Sequence, residues 1–484
     1  MHDFNFYMDS IGEFGFVEEI LTSIVYASGL PTAKPDELVV FENGELGRII
    51  SLKTDRVEIL VLSNSEVKVG SRMARTNESL KIEIGDHFLG RMIDPIGKPL
   101  DDGPSLDRPS NVSREVDILP LPLSERQIIT QPLETGVPLV DLIIPIGKGQ
   151  RQLVIGDRQT GKTQFFIRTL LNHTKTGNIC IYAAIGKKVV EVRQVLEAIK
   201  KRGIDKSTIV VASGASDSPG LIFITPYTAM TIAEYFKDKG YDVLVILDDL
   251  TNHAKYYRQI SLLAGRFPGR NSYPGDIFYV HSKLMERAGK FKKGSITCFP
   301  VAESVMGDLS GYIQTNLMSM TDGHIFFDTD LASLGRRPSI NSFLSVTRVG
   351  QQAQTKLTRD ISRELTSFLL NIETLKTFIH FGAELSEQVK QKLALADRVF
   401  GFFDQPTEIV PRNVSIFVIG LLWVGFWRDQ EVAEMRTKIK KLTEDYEKNS
   451  TFKKQVDGLI TASDLFSDLL GNLREGDYGQ KSYI

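Results

Sequence analysis

The spacing of apolar residues changes twice along the 484-residue chain. Over residues 46–81, short β-like stretches such as 57–62 and 67–69 are separated by turn residues, a pattern that predicts a small β-barrel. Over residues 152–345, apolar strands alternate with helical segments, which indicates a mostly parallel α/β sheet. From residue 357 onward, apolar residues recur at spacings of three and four, so the last third is predicted to be helical.

These changes divide the chain into three predicted domains. We expect an N-terminal β-barrel domain over residues 1–81, an α/β domain over 82–355 and a C-terminal helical bundle over 356–484. Within the α/β domain, the pattern predicts four strands and a helix. The strands are at 179–182, 208–211, 243–247 and 295–299, and the helix is at 189–202.

Residues 156–163, with the sequence GDRQTGKT, have the pattern G-x-x-x-x-G-K-[ST] of a phosphate-binding loop. The glycines let several backbone N–H groups converge on an anion, Lys162 neutralises the terminal phosphates and the Thr163 hydroxyl ligates Mg²⁺. Residues 151–155 (RQLVI) predict a short buried strand before the loop, and residues 163–171 predict a helix after it. The phosphates would therefore lie at a helix N-terminus, and the chain is predicted to bind a nucleoside triphosphate.

An apolar strand that ends in two carboxylates follows about 85 residues after the loop. Strand 243–247 leads directly into Asp248 and Asp249. A buried parallel strand brings its last residue to the carboxyl edge of the sheet, where Asp248 would hold Mg²⁺ directly or through water. The alternative is an ordinary acidic strand end or helix cap.

The charge and composition of the chain limit the ligands and the cellular compartment that it can be expected to have. The chain carries 58 basic and 60 acidic residues, a net charge of −2, so its overall charge does not attract nucleic acid or anionic lipid.

Cys180 and Cys298 lie in apolar runs, where buried free thiols are expected, and this indicates a reducing compartment. Residues 1–16 contain no Lys or Arg, unlike a secretory or mitochondrial leader, which predicts cytosolic exposure. The apolar run 414–427 is too short to cross a bilayer and predicts a buried helix.

The loop sequence resembles that of the alpha subunits of F-type ATP synthases. Further blocks agree with that family in the same order: 135–151, 248–263, 268–270 (PGR), 273–279 (YPGDIFY), 286–288 (ERA), 321–326 (TDGHIF), 337–341 (RPSIN) and 345–350 (SVTRVG). The resemblance is dense over residues 82–354. It implies an α/β P-loop (RecA-like) nucleotide-binding core between an N-terminal β-barrel and a C-terminal helical bundle.

The resemblance also implies the assembly and its ligands. Family members alternate with a catalytic beta subunit in a three-plus-three ring around a central-stalk gamma subunit, with a peripheral stalk, as part of a proton-translocating ATPase. The ring lies at the cytoplasmic face of the cell membrane and reaches the membrane only through partner subunits. Alpha sites bind ATP or ADP with Mg²⁺ without turning it over. The residues that match the family's nucleotide site are Gly156, Asp157, Arg158, Gln159, Thr160, Gly161, Lys162, Thr163, Asp248 and, near the adenine, Arg337 and Gln405. Metal ligation falls on Thr163 and Asp248.

Lys187 stands where the catalytic subunits carry a carboxylate that orients the attacking water, and where alpha subunits usually carry Gln. A charged lysine cannot accept a proton, so no turnover is expected at this site. The alternative is an exposed helix-start lysine without a role in the site. Arg348 matches the family's arginine finger, which reaches the nucleotide held by the neighbouring beta subunit; the alternative for it is a surface ion pair.

Particular residues argue against other classes of nucleotide-binding protein. A self-sufficient hydrolase is disfavoured by Lys187. A ring-shaped nucleic-acid translocase similar to the terminator Rho would need a basic binding surface with several aromatic residues in its N-terminal domain. The only aromatic residues of 41–90 are Phe41 and Phe88, and the charges there are mixed. The short segment before the barrel departs from the family's N-terminal stalk-binding helix. An F-type-derived paralogue that drives another mechanical task therefore stays open beside an ordinary ATP synthase.

Overall fold

A computed structural model describes residues 3–380, 386–404 and 409–475 of the chain. Its strands, in chain order, are β1 (Phe14–Leu21), β2 (Ile24–Ser28), β3 (Glu37–Phe41), β4 (Leu46–Leu52), β5 (Val57–Val61), β6 (Arg72–Ser79), β7 (Lys81–Ile84), β8 (Met92–Ile93), β9 (Val112–Glu115), β10 (Pro132–Leu133), β11 (Ile146–Gly147), β12 (Leu153–Gly156), β13 (Ile179–Lys187), β14 (Thr208–Gly214), β15 (Asp242–Asp248), β16 (Gly289–Phe291), β17 (Gly294–Glu303), β18 (Gly323–Phe327) and β19 (Val346–Thr347).

The helices, in the same order, are α1 (Phe4–Ile11), α2 (Pro138–Ile143), α3 (Lys162–Thr174), α4 (Val189–Lys201), α5 (Pro219–Asp238), α6 (Leu250–Leu263), α7 (Ile277–Met285), α8 (Tyr312–Met320), α9 (Thr329–Ser333), α10 (Lys356–His380), α11 (Glu387–Phe403), α12 (Arg412–Val424), α13 (Val432–Lys448), α14 (Ser450–Thr461) and α15 (Phe466–Glu475).

The chain divides into two units, each built from separate segments. The first comprises Met1–Gln127, Gly177–Ser304 and Asp308–Thr321, and the second comprises Ile128–Thr176, Val305–Gly307 and Asp322–Ile484. The domain boundaries that the sequence predicts after residues 81 and 355 stay predictions.

In the first unit, six antiparallel strands close into a barrel in the order β1-β2-β5-β4-β3-β6. Its interior is filled by small and branched side chains such as Val25, Val39 and Ile59, all of which are buried. Closure removes the unpaired strand edges that an open sheet would present. The predicted barrel is confirmed, but it begins at β1, well before residue 46.

One predicted strand of the barrel is wrong. Residues 67–69 form no strand; the backbone turns there, with the Ser71 N–H donating to the Lys68 carbonyl at 3.1 Å. Val69 is exposed, and β6 begins only at Arg72. Three residues of the pattern Val-Lys-Val are too short a signal to separate a strand from a turn.

The first unit also contains a parallel sheet in the order β17-β15-β13-β14-β8, with β16 antiparallel at β17. The predicted strands and the predicted helix 189–202 are confirmed as β13, β14, β15, β17 and α4. Cys180 in β13 and Cys298 in β17 are buried free thiols, as expected. In the register of β13 and β15, Ala184 lies opposite Asp248, so the carboxyl ends of these two strands are neighbours.

In the second unit, β12 pairs in parallel with β18, and β19 pairs antiparallel with β18. Helices α10 to α15 follow, which confirms the helical last third. The apolar run 414–427 forms the buried helix α12, but that helix stops at Val424 because Gly425 adopts φ 98°. A Cβ on Gly420 would lie 2.5 Å from Leu473, so α12 approaches α15 closely at this glycine. Within the described ranges, no helix is both long and apolar enough to span a membrane.

The observed elements confirm the predicted fold class. A closed barrel, a mixed sheet with mostly parallel strands and a set of C-terminal helices occur in that order along the chain.

Candidate nucleotide-binding site

The phosphate-binding loop of the second unit connects β12 to α3. Gly156 ends β12 opposite Phe327 of β18. A Cβ at position 156 would lie 2.4 Å from the Phe327 carbonyl oxygen, so the close approach of the two strands leaves room only for glycine. The first glycine of the motif is therefore required by strand pairing as much as by a ligand.

The loop itself is braced by its own side chains and by a neighbouring segment. The Thr160 hydroxyl donates to the Asp157 carbonyl at 2.7 Å, and the Ser339 hydroxyl donates to the Thr160 carbonyl at 2.6 Å. Gln159 and Gly161 adopt positive φ values of 63° and 97°. This curled backbone is the conformation that lets N–H groups converge on an anion.

Lys162 is the first residue of α3, and its ammonium lies over the loop. Its Nζ donates to the carbonyls of Gly156 at 2.7 Å and Asp157 at 2.6 Å. The first N–H groups of a helix have no intrahelical acceptor, and Gly161 has no side chain to cap them. With Thr163 exposed on the first turn, helix α3 presents both the N–H groups and the charge that an anionic phosphate requires. Arg158 and Gln159 are exposed at the tip of the loop.

A second group of predicted residues lies in the first unit, at the carboxyl ends of β13 and β15. The Lys187 ammonium contacts Oδ1 of Asp248 at 2.8 Å and Oδ2 of Asp249 at 3.1 Å. The Tyr182 hydroxyl donates to Oδ2 of Asp248 at 2.5 Å. Asp249 also caps α6, where its Oδ1 accepts from the Asn252 N–H at 2.6 Å. Each of these carboxylate oxygens therefore already has a protein partner.

The electrostatics of this cluster keep the lysine charged. Burial alone would lower the pKa of Lys187, but the charges of Asp248 and Asp249 outweigh it and raise that pKa above its ordinary value. Burial raises the pKa of Asp249, against the opposing effect of the Lys187 charge. Burial and the Asp248 charge raise the pKa of Tyr182 well above its usual range, so the phenol remains a proton donor.

The donor set around Asp248 does not fit a resident magnesium ion. Mg²⁺ requires carboxylate oxygens that can enter its near-octahedral shell. At Asp248 an ammonium holds one oxygen and a phenol holds the other, so an incoming ion would have to displace one of them. Across the described residues, no group of three or more His, Cys, Asp or Glu side chains gathers into a metal-binding cluster. The metal role of Asp248 stays a prediction.

The segment predicted to lie near the adenine belongs to the second unit. Arg337 is exposed, and its Nη1 donates to the carbonyls of Ala332 at 3.0 Å and Arg336 at 2.7 Å. Two residues further on, Ser339 makes the contact with the phosphate-binding loop described above. The backbone N–H of Arg337 donates to the carboxylate of Asp404, the residue before Gln405. Gln405 itself lies outside the described residues.

Arg348 follows β19 in the second unit, on a tightly held stretch of backbone. Its N–H donates to the Asp322 carbonyl at 2.9 Å, and the Asp322 carboxylate in turn binds Arg151 at 2.8 Å. The preceding Thr347 donates its hydroxyl to the Pro145 carbonyl at 2.8 Å. Arg348 is an exposed residue, and these hydrogen bonds hold the backbone on which it stands.

Sequence reasoning named Asp249 only as one of two carboxylates at a strand end and gave it no site role. It missed Tyr182 and the contacts of Lys187 with Asp248 and Asp249. A signal was available for one part. The sequence predicts strands at 179–182 and 243–247 in a mostly parallel sheet, and the carboxyl ends of parallel strands lie at one sheet edge, where Asp248 and Asp249 follow directly. Tyr182 carried no such signal, because a tyrosine in a buried strand is ordinarily a packing residue.

Comparisons with known proteins agree with these features. The sequence model described as "ATP synthase alpha/beta family, nucleotide-binding domain" matches residues 136–347. Three similar proteins are named ATP synthase subunit alpha. The one from Neorickettsia sennetsu is 38% identical over 444 residues, 89% of this chain and 87% of its own length. The one from Clostridium acetobutylicum is 42% identical over 427 residues, 87% and 84% of the two chains. The one from Carsonella ruddii is 40% identical over 398 residues, 80% and 82% of the two chains.

Proposed function

Because the chain belongs to the family of ATP synthase alpha subunits, we propose that it is the non-catalytic, regulatory ATP- or ADP-binding subunit of a proton-translocating rotary ATPase. Membership in the family implies assembly with other ATP synthase subunits. In our proposal these partners are catalytic beta subunits, which alternate with this chain in a three-plus-three ring, a central gamma subunit and a peripheral stalk. The ring works at the cytoplasmic face of the cell membrane.

One observation carries the non-catalytic assignment. A hydrolytic site needs a carboxylate that can accept a proton from the attacking water, and Lys187 occupies the matching position. Its ammonium is held by Asp248 and Asp249, which supports a fixed electrostatic role and argues against a mobile surface lysine. A charged donor that is already engaged by two carboxylates cannot act as a general base.

In this proposal the nucleotide phosphates bind over the loop of residues 156–163. The N–H groups at the start of α3 and the ammonium of Lys162 supply the positive potential. Arg337 and Gln405 would contact the base. The hydrogen bond from Ser339 to the loop supports this arrangement, because it ties the Arg337 segment to the backbone that would hold the phosphates.

We assign Arg348 to the neighbouring catalytic site. An arginine that stabilises charge on a transferring phosphoryl group must project from a rigid backbone and keep its planar fork accessible. The contacts of residues 347 and 348 and the exposure of Arg348 support that role.

The test compares binding with turnover in the purified full-length chain. We expect stoichiometric binding of ATP or ADP and no sustained release of phosphate. Reconstitution with a beta subunit should restore hydrolysis by the ring. The Lys162→Ala variant serves as the control, because its nucleotide binding should be weakened and any turnover that depends on this site should fall with it. Sustained hydrolysis by the isolated wild-type chain that disappears in Lys162→Ala would contradict the proposal.

A further inference from the structure

A cavity of about 350 Å³ lies within the second unit, between helix α11 and the end of α12 with the residues that follow it. The larger apolar side chains that line it, which we call the apolar wall, are those of Leu395, Leu422, Trp423 and Phe426. Cavities that hold small organic ligands measure about 300–1,000 Å³ and combine apolar surface with a few polar groups. None of the described residues that line this cavity is among those predicted to bind nucleotide, so it is a candidate site for a different ligand.

The ring of Trp423 is held in place by aromatic neighbours. It makes edge-to-face contacts with Phe368 of α10 and Phe466 of α15, at centroid distances of 5.1 and 5.6 Å. Such pairs are favourable beyond the area that they bury, so the ring keeps its orientation. Leu395, Trp423 and Phe426 are only partly buried by the protein. A ligand chain that removed their remaining apolar surface from water would therefore bind favourably.

The charged side chains around the cavity are basic. Lys392, Arg398 and Arg428 line it together with two glutamines, and none of its described lining residues is acidic. Lys392 and Arg428 are exposed, and within the described ranges neither side chain has a hydrogen-bond or ion-pair partner. An ammonium and a guanidinium both donate charge-assisted hydrogen bonds to a carboxylate. The cavity therefore offers two available cations to an anion.

Arg398 holds the segment after α12 in place and adds a third positive charge. Its Nε donates to the Trp427 carbonyl at 2.7 Å, and its Nη2 donates to the carbonyls of Arg428 and Gln430. Its Nη1 donates to the Ala394 carbonyl of its own helix at 2.6 Å. All of these acceptors are neutral, so they satisfy the N–H groups without cancelling the charge of the guanidinium. The positive potential at the cavity is therefore built into the packing of this segment on α11.

We propose that this cavity binds a small amphiphilic carboxylate of the medium-chain acyl class, with its chain on the apolar wall and its carboxylate between Lys392 and Arg428. The chemistry of the lining supports both halves of the ligand, because apolar surface and unpaired cations lie side by side. The volume favours a small molecule over a helix of a partner protein, since a helix with its side chains is about 10–12 Å across and needs a long groove. The proposal goes beyond nucleotide binding and does not depend on it.

The experiment uses the two tryptophans of the chain as reporters. Trp427 is 4% exposed, and Trp427→Phe keeps the backbone carbonyl that Arg398 contacts, which leaves Trp423 as the single fluorophore at the cavity. Decanoate should change the Trp423 emission of this full-length variant saturably, with a dissociation constant of about 1 mM or tighter. Decyltrimethylammonium, which has the same chain and the opposite charge, should bind about tenfold or more weakly. Acetate, which lacks the chain, should cause no change at the same concentrations.

A pair of substitutions locates the carboxylate. The double variant Lys392→Gln and Arg428→Gln should bind decanoate about tenfold or more weakly, because both cations are lost. Lys390→Gln is the matched control, since Lys390 lies on the same helix, is exposed and pairs with Glu387 without lining the cavity. Its affinity should stay within about twofold of the parent chain. Equal affinities in the double variant and the control, or equal binding of decanoate and decyltrimethylammonium, would overturn the proposal.

Thermal unfolding of the otherwise unchanged chain gives a second readout if Trp427→Phe does not fold. Decanoate at about ten times its dissociation constant should raise the unfolding temperature by mass action, and the double variant should lose most of that rise. The absence of both an emission change and a thermal shift would overturn the proposal. An acidic amphipathic peptide that changed the Trp423 emission where decanoate did not would also overturn it, because the cavity would then dock a protein. None of these measurements involves nucleotide, so such failures would leave the proposed function intact.

Discussion

The hydroxyl of Tyr182 donates a 2.5 Å hydrogen bond to Oδ2 of Asp248 across two neighbouring parallel strands. This bond occupies the oxygen of Asp248 that Lys187 does not contact. A buried carboxylate that keeps both of its oxygens paired avoids the desolvation cost of an unsatisfied charge. The strand end is thus stabilised by a tyrosine that the sequence does not single out.

Replacement of Tyr182 by Phe should lower the free energy of unfolding by about 1–2 kcal/mol, because the Asp248 carboxylate would lose a buried hydrogen bond. Urea denaturation followed by fluorescence measures the change. Tyr256→Phe is the control, since the Tyr256 hydroxyl bonds to the Ala215 carbonyl at an exposed site and its loss should cost less than about 0.5 kcal/mol. Equal decreases in the free energy of unfolding for the two variants would show that the bond to Asp248 contributes no more to stability than an exposed hydrogen bond does.

Lys162→Ala should weaken nucleotide binding by about tenfold or more, because the ammonium that neutralises the phosphates is removed. A fluorescence titration with labelled ATP gives the affinity. Lys175→Ala, just beyond the other end of α3, removes an exposed ion pair with Glu447 and should leave the affinity unchanged. If the two variants bind nucleotide equally well, the loop does not hold the phosphates.

Lys187→Glu should not create a working hydrolase. It would place a third carboxylate beside Asp248 and Asp249, so we expect a loss of about 3 kcal/mol or more in the free energy of unfolding. Lys188→Glu, at an exposed position, should change stability by less than about 0.5 kcal/mol. Hydrolysis is measured in the assembled ring with its beta sites disabled. New turnover there would contradict our view of the site.

Arg348→Ala should leave nucleotide binding by this chain nearly unchanged and lower hydrolysis by the assembled ring about 10³-fold or more. Arg348→Lys should restore little, because a point charge cannot reproduce the planar fork. Both assembly and steady-state turnover of the reconstituted ring are measured, with Arg359→Ala on the exposed face of α10 as the control. Near-normal turnover in an assembled Arg348→Ala ring would leave Arg348 a structural residue.

Acid should destabilise the first unit through two buried histidines. His253 and His281 are joined by a 3.1 Å contact between ring nitrogens, and burial lowers the pKa of His253 to about 4 and that of His281 well below its usual value. An unfolded histidine titrates near 6.5, so protonation favours unfolding once the pH falls below that value. Above pH 6.5, His253 is neutral in both the folded and the unfolded chain, and its burial costs no stability through protonation. As the pH approaches 4, the free energy of unfolding falls by about 3 kcal/mol because the unfolded histidine binds a proton.

The measurement is the free energy of unfolding from pH 7.5 to 5. The wild-type chain should lose stability more steeply below pH 6.5 than His253→Gln, which carries no ionisable group at that position. Comparison of the slopes cancels the contribution of carboxylates elsewhere, because both proteins contain them. If the free energy of unfolding of the two proteins falls equally steeply with pH, protonation of His253 does not contribute to acid unfolding.

The phosphate-binding loop could be recognised from sequence because its chemistry is local. Eight consecutive residues carry the glycines that allow the curled backbone, the lysine that meets the phosphates and the start of the helix behind them. Alternating and helical apolar patterns likewise predicted the barrel, the parallel strands and the C-terminal helices, since each depends on neighbours a few positions away. The run at residues 67–69 was misjudged because three residues do not distinguish a strand from a turn.

The partners of Lys187 depended on the tertiary structure. The sequence showed that no carboxylate stands at this position, and that already argued against catalysis. Which groups the ammonium meets depends on the pairing of β13 with β15, whose last residues are separated by some sixty positions in the chain, and on the turn at Gly186. A shift of one residue in that register would send the side chains of one strand to the opposite face of the sheet, so the cluster forms only once long-range strand pairing has been established.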